Sequence, residues 1–329
     1  MSFYIGRYRD IEKREYNIEV VTPMFLGGSD VNKAELRIPS FKGMIRFWWR
    51  ATSGIADIDE MYKKESELFG NTDIKSSISL FIKDVNIKIS KHIFWGKKYR
   101  AVRKGKTLPP LDILHYLAYG TLKYVKRQGN VVEKEYIDVG SSFTLVIKAK
   151  KNLFSEIERA LTYFINFGGM GAKSRNGFGS MYCRDIKFTT EILKNGELKD
   201  YTSFSQYSKL IKFNPQNTWQ DALSDIGLAY REARLSVEKR HNFEKRGLIA
   251  KPIEARGENI PEYIRKNRHA KVFFLHVNKL KNGNFQGQIL FLPYKFKSFD
   301  KSETFSVFKE TLEKVCKEIE KKSGGNKWL

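Results

Sequence analysis

SSFTLVIKAKKNLFSEIERALTYFINFGGMGAKSRNGFGS (141–180) carries the pattern that decides the fold. Its opening, SSFTLVIKA, is apolar and rich enough in β-formers to be a strand. Residues 153–167 then switch to a helical period. At about 100° per residue, Phe154, Ile157, Leu161, Phe164 and Ile165 share one face, and Glu156, Arg159, Thr162 and Asn166 fall mostly opposite. Such a helix packs on a sheet through one side. A glycine-rich loop follows, then a strand at about 180–188.

Working outward, REYNIEVVT (14–22) alternates as a strand and stops at Pro23. MFLGGSD reads as a turn and AELRIP as a short extended piece. Ser40, directly before FKGMIRFWWRAT, is the expected N-cap of the first helix. DIDEMYKKESELF is a second helical stretch ending at Gly70, and SISLFIKDV (77–85) is a strand. The succession strand, helix, strand, strand, helix, strand is the ferredoxin-like split βαβ pattern.

Residues 86–137 interrupt it. They are polar, basic and irregular, with Lys97, Lys98, Arg100, Arg103, Lys104 and Lys106 close together, and read as an insertion holding a β-ribbon or long loop. Phe94, Trp95 and Tyr99 within it suit an unpaired nucleic-acid strand or a partner subunit. After a polar linker near 190–200, a helix is expected over 218–235. A β-hairpin follows around Asn282-Gly283, and an amphipathic helix closes the chain over 304–322. Residues 236–270 are basic and irregular. The expected architecture is α+β, with a first domain over 1–195, the insertion at about 86–137, and a diverged second copy over 196–329.

Composition narrows the function. Lys and Arg number 60 against 37 Asp and Glu, a formal net charge of +23, on a chain with 24 Phe, 16 Tyr and 5 Trp. So many rings exclude a disordered chain. The charge favours a polyanion, nucleic acid first, and by itself leaves an acidic membrane surface open. No window is apolar enough for a membrane span, and MSFYIGRYRDIEKREYNIEV has no signal-peptide core. Two cysteines, Cys183 and Cys316, rule out a disulfide framework or Cys-rich zinc site and fit a reducing cytosol.

On a wheel of the first helix with Phe41 at zero, Lys42, Arg46 and Arg50 fall at roughly 100°, 140° and 180°. Met44, Ile45, Phe47, Trp48 and Ala51 occupy the opposite arc, with Trp49 on the border, open to a core or a base-stacking role. An ordinary solvated face mixes signs, yet no acidic residue occurs between Leu36 and Asp57. In the loop FGGMGAKSRNGFGS (167–180), Gly168, Gly169 and Gly171 permit close approach, and Lys173 and Arg175 add charge. It is not a P-loop, because Ala172 precedes Lys173. It fails the dinucleotide fingerprint too, because Ser174 stands where the third glycine belongs. A purely structural turn is the bland alternative.

None of His92, His115, His241, His269 and His276 lies in the helix or the loop. His276, in an apolar strand, reads as a bonded core histidine. The acidic run Asp57-Ile58-Asp59-Glu60 reads as a helix start rather than a metal site. No metal, cofactor or catalytic set is expected.

The string TPMFLGGSDVNKAELRIPSFKGMIRFWWRA, followed at a distance by FGGMGAKSRNGFGS, resembles the RAMP superfamily of repeat-associated RNA-binding proteins. Within it, the chain is similar to the family of first subunits of the Cmr complex, the type III-B CRISPR effector. The resemblance implies two tandem RAMP (RRM-like) ferredoxin-like domains and a non-catalytic role in antiviral defence. The implied partners are guide RNA, the complementary single-stranded target RNA and other RAMP subunits, in the cytoplasm. It implies RNA contact at Lys42, Arg46, Arg50, Lys173, Arg175 and the loop glycines, with Arg37 beside them. RHAKVFFLHV (268–277) resembles the family's entry into a second-domain strand. A stand-alone RAMP endoribonuclease that processes CRISPR RNA without metal is the alternative. A scaffold whose basic faces meet acidic proteins is another.

Overall fold

Alternation along Ile11–Val20 (β1) buries Tyr16, Ile18 and Val20 on one side of a sheet and leaves Glu15 and Asn17 exposed on the other. The computed structural model describes residues 10–100, 102–103, 106–107, 109–194, 196–239, 243–251, 253, 259–295 and 302–329. Arg103 and Lys106 lie there without described side chains, and Lys104 and His241 lie outside.

Ile38–Thr52 (α1) starts two residues before Ser40. Arg37 occupies the N-cap with no side-chain cap, and Pro39 sits in the first turn. That corrects the expected start. Proline has no N–H to donate and its fixed φ suits the first turn, so the helix begins ahead of it. Ile58–Phe69 (α2) is capped by Asp57, whose carboxylate accepts from the Glu60 amide at 2.7 Å, and ends at Gly70 with φ +80°.

Ser79–Asn86 (β2), Ser142–Lys150 (β3), Phe154–Phe167 (α3) and Met181–Cys183 (β4) complete the first layer pair. The sheet runs β4-β1-β3-β2 with antiparallel neighbours, Tyr16 opposite Leu145 and Ile18 between Phe143 and Cys183. Its core helices are tied in through rings. Phe41 of α1 meets Phe143 of β3 edge-on at 5.3 Å, and Trp48 lies 6.4 Å from Phe167 of α3.

The second half builds a smaller sheet from Lys209–Lys212 (β5), Phe273–Lys279 (β6) and Phe285–Phe291 (β7), ordered β5-β7-β6 and antiparallel. Gly283, at φ +86°, turns the expected hairpin between β6 and β7. Trp219–Ser236 (α4), capped by Thr218, and Ser302–Lys321 (α5) are its long helices. At the chain end, the Leu329 amide donates to the Leu210 carbonyl of β5 at 2.8 Å.

Two compact units divide the chain: Met1–His92 with Val132–Ser174 and Phe178–Glu191, and Ile93–Val131 with Arg175–Gly177 and Ile192–Leu329. Residues 93–131, which fall in the stretch read as irregular, are therefore held within the second unit. The short helix Ile113–Leu117 lies against α4, where Gly227 leaves room: a Cβ there would stand 2.7 Å from Leu117 Cδ1. Cys183 and Cys316 are free and buried, and burial pushes their thiols up to about 11 and about 12. Neither is expected to react with a polar thiol reagent until the protein is denatured, which mass spectrometry of labelled native protein checks.

Candidate nucleic-acid interface

The α1 stripe is built as the wheel implies, but its arginines do not stand alone. Arg46 grips Glu65 of α2 with two contacts, Nε to Oε1 at 2.9 Å and Nη2 to Oε2 at 3.0 Å. Arg50 Nε lies 3.0 Å from the same Oε1. The Glu65 side chain is 4% exposed, against 32% and 38% for the two arginines. A buried carboxylate is thus stabilised by two partly solvated guanidinium groups, and the cluster keeps one positive charge. The hydrogen bond to Glu65 raises the Arg46 pKa.

Lys42, one turn before Arg46, is different. Burial lowers its pKa first, and the Arg46 charge lowers it further. Arg37, at the helix start, makes only a loose pair with Glu35 at 3.9 Å. No acidic residue occupies the first turn of α1, so the helix dipole adds to the field of Arg37 and Lys42.

Trp48 and Trp49 both belong to the interior, at 0% and 1% exposure. Trp49 Nε1 donates to Glu156 of α3 at 2.8 Å. That settles the wheel's open position against base stacking, because the indole is enclosed and its polar edge is engaged.

The glycine loop spends its amides on the protein itself. Met170 N donates to the Gly179 carbonyl at 2.9 Å, Gly179 N to Pro23 at 2.9 Å, and Ala172 N to Phe25 at 2.8 Å. Side chains have no room there. A Cβ on Gly168 would lie 2.6 Å from Trp48 Nε1, on Gly169 2.6 Å from the Phe178 carbonyl, and on Gly171 2.4 Å from the Phe25 carbonyl. The glycines let the backbone close on Pro23–Phe25 and on α1's apolar side.

Lys173 sits at the turn with φ +63°. Its ammonium is pushed down by burial and then by the neighbouring charge of Lys134. Arg175 lies deeper. Its guanidinium donates to the Lys271 carbonyl, stands 4.4 Å over the Phe274 ring, and is pushed down to about 10 by burial. Lys271 answers it, donating through Nζ to the Arg175 carbonyl and to Asn176 Oδ1, both at 2.8 Å. Burial, then the charges of Arg234 and Arg175, hold Lys271 well below the usual lysine range. Sequence reasoning missed Lys271 and Arg234; nothing in their local pattern signals a cluster assembled from three distant segments.

Lys42, Arg46 and Arg50 are therefore brought together on α1. Gly168, Gly169, Gly171 and Lys173 meet the same unit through Trp48 and Phe25, on the core side of α1. Arg175 belongs to the second unit.

The rings of His115, His269 and His276 are each hydrogen-bonded within the protein. His276 Nε2 meets Asn278 Oδ1 at 3.1 Å, as read for a core position. His115 bonds the Phe94 carbonyl at 2.8 Å and Asn130 at 3.1 Å. His269 bonds Leu248 and Tyr294. Among the described residues, no group of His, Cys, Asp and Glu is arranged to hold a metal ion, and no helix is long and apolar enough to cross a membrane.

An α+β chain whose antiparallel sheet joins a basic helix to a glycine loop defines its class: it belongs to the RAMP superfamily, whose family model matches residues 17–182, from β1 to β4. Among individual proteins, it is similar to the CRISPR system Cmr subunit Cmr1-2 of Pyrococcus furiosus. They are 28% identical over 178 residues, covering 50% of this chain and 92% of that subunit. It is also similar to Cmr1-1 of the same organism, 22% identical over 183 residues, covering 54% of this chain and 49% of the relative. The chain thus spans about half the length of Cmr1-1. The crystal structure of Cmr1 from Pyrococcus furiosus in its apo form aligns over 87% of this chain and 89% of that one, with a TM-score of 0.52 and 19% identity. That likeness bears on the fold.

Proposed function

We propose that the protein is a non-catalytic RNA-binding subunit of a type III-B CRISPR effector, in contact with guide RNA, target RNA or both and with other RAMP subunits, in the cytoplasm. The observation that carries the assignment is the alignment over nearly the whole of a Cmr subunit. Tandem ferredoxin-like domains, meeting near residue 195, fit the topology. In sequence order the first sheet runs fourth-first-third-second. The second sheet keeps first-third-second, and the Leu329 amide bonds the free edge of β5 where a fourth strand would lie.

RNA contact at Arg37, Lys42, Arg46, Arg50 and Lys173 is supported by crowded charge. Lys42 has Arg46 as its charged neighbour, and Lys173 has Lys134. A phosphate placed beside either pair relieves repulsion that the fold otherwise tolerates. Arg175 contributes by holding the loop tip. Binding without cleavage is supported by His115, His269 and His276, whose ring nitrogens serve the core.

Filter binding of labelled single-stranded RNA to the full chain tests this reading. Lys42→Ala is expected to weaken affinity and to flatten the log K against log salt slope by about 0.7, the loss of one phosphate contact. Its thermal unfolding should stay within about 0.5 kcal/mol of the parent. Specific cleavage of repeat RNA in the absence of metal would instead favour the endoribonuclease.

A further inference from the structure

The face that α2 turns to α1 carries an aromatic ring that stays in water. With Ile58 at zero and about 100° per residue, Tyr62, Glu65 and Phe69 fall at roughly 40°, 340° and 20°. Contacts identify this as the α1 side: Phe69 meets Trp49 edge-on at 6.1 Å, and Glu65 holds Arg46 and Arg50. Glu65 and Phe69 are accordingly buried. Ile58 and Tyr62, nearer the start of the same face, are 50% and 55% exposed.

Tyr62 is close enough to Arg46 to act on its charge. The Glu65 hydrogen bond is the first cause that raises the Arg46 pKa, and the Tyr62 phenol adds to it through space. Lys42 in turn has Arg46 as its charged neighbour. A half-exposed ring, a guanidinium and an ammonium thus share one patch of the first unit. The carboxylates of α2 do not cancel it. Glu65 is shared by the two arginines, Asp57 caps the Glu60 amide, and Glu60 pairs with Lys64 at 2.8 Å on the far side of the wheel. Asp59 falls at roughly 100°, with Lys63 beyond it at roughly 140°. Lys42, Arg46 and Arg50 outnumber Glu65 and Asp59 together, so the patch stays positive.

We propose that Tyr62 is a base-stacking residue: one unpaired RNA base rests on its ring while the adjoining phosphates meet Arg46 and Lys42. This makes the surface prefer a single strand to a duplex. The proposal rests on the RNA-binding reading above and deepens it at the same site. Trp48 and Trp49 are enclosed, so α1 itself offers no indole to a base. A ring set beside cations matches a nucleotide, which carries a π-face and an anion in one unit. In a duplex the base is already paired and stacked, and Tyr62 would gain nothing from it. A protein partner is the poorer match, because it would cover Ile58 along with Tyr62, whereas a stacked base needs the ring and not the aliphatic side chain.

The test uses the full chain and labelled single-stranded RNA. Tyr62→Ala is expected to weaken binding about tenfold with the salt slope unchanged, because a stacked base releases no counterion. Tyr62→Phe keeps the ring and should recover most of that loss. On an abasic oligonucleotide of equal length, and on a duplex, Tyr62→Ala should match the parent. Ile58→Ala should change none of these affinities. Parent-like affinity of Tyr62→Ala for single-stranded RNA, alongside weakened binding by Lys42→Ala, would overturn the stacking role and leave the RNA reading standing. Equal losses on abasic and ordinary RNA would also overturn it, as would a Tyr62→Phe variant no better than Tyr62→Ala. An equal loss from Ile58→Ala would replace stacking with a general apolar contact. RNA binding retained together with failure to join partner subunits would make this face a protein contact. A parent chain that binds no RNA would remove both readings.

Discussion

Between pH 6.5 and about 4, His269 alone is expected to remove about 3 kcal/mol from the folding free energy. The ring is 1% exposed. Its Nε2 faces the Leu248 carbonyl at 2.9 Å, so it carries the proton there, and Nδ1 accepts from the Tyr294 hydroxyl, which itself accepts from the Ala270 amide. Protonation at Nδ1 removes the lone pair that Tyr294 uses. Burial is the largest cause that pushes the histidine down to about 4, with the Lys251 and Arg175 charges adding to it and the Leu248 bond opposing. In the unfolded chain the ring titrates near 6.5. Below that pH the unfolded state binds a proton the folded state refuses, so stability falls as pH falls and levels off beneath about 4. Denaturant unfolding across this range measures the loss. Subtracting the His269→Gln profile isolates it from the carboxylates. If the His269 ring protons shift with a midpoint near 6.5 in NMR of the folded protein, the account fails.

That histidine illustrates where the sequence stops being informative. Its neighbours Leu248 and Tyr294 are 21 and 25 residues away on either side, and no periodicity announces them. By contrast, the 141–180 stretch discloses its strand as a run of apolar β-formers, buried without a break from Phe143 to Ile147, and its helix by an apolar period of 3.6. The Asn282-Gly283 turn was legible for a similarly local reason: only a residue tolerant of positive φ fits. Ser40 misled because a local capping preference was outweighed by Pro39 beside it. Residues 93–131 look irregular because their order comes from α4. Lys97 Nζ pairs with Asp225, and Lys97 N donates to Ser224 at 3.0 Å, each more than a hundred residues away. The α1 stripe was visible as a pattern, but its counter-charge was not. Glu65 reaches it from a separate helix, inside a stretch that reads as an ordinary mixed-charge surface.

Glu65→Gln therefore separates two meanings of that stripe by moving stability and RNA affinity in opposite directions. The amide keeps the shape and one acceptor oxygen but turns an N–H₂ toward a guanidinium, so about 1–3 kcal/mol of stability is expected to go. The same change leaves Arg46 and Arg50 with no carboxylate to share. If those side chains face phosphate, RNA binds more tightly, and the salt slope steepens by about 0.7 for each guanidinium that gains a contact. If Arg46 and Arg50 serve only to hold α2 against α1, the variant melts lower and its RNA affinity stays level or drops. Arg46→Ala cannot make this distinction, because it removes a strut and a candidate phosphate contact together. The neutral substitution works because it alters the charge opposite the arginines while leaving both of them in place.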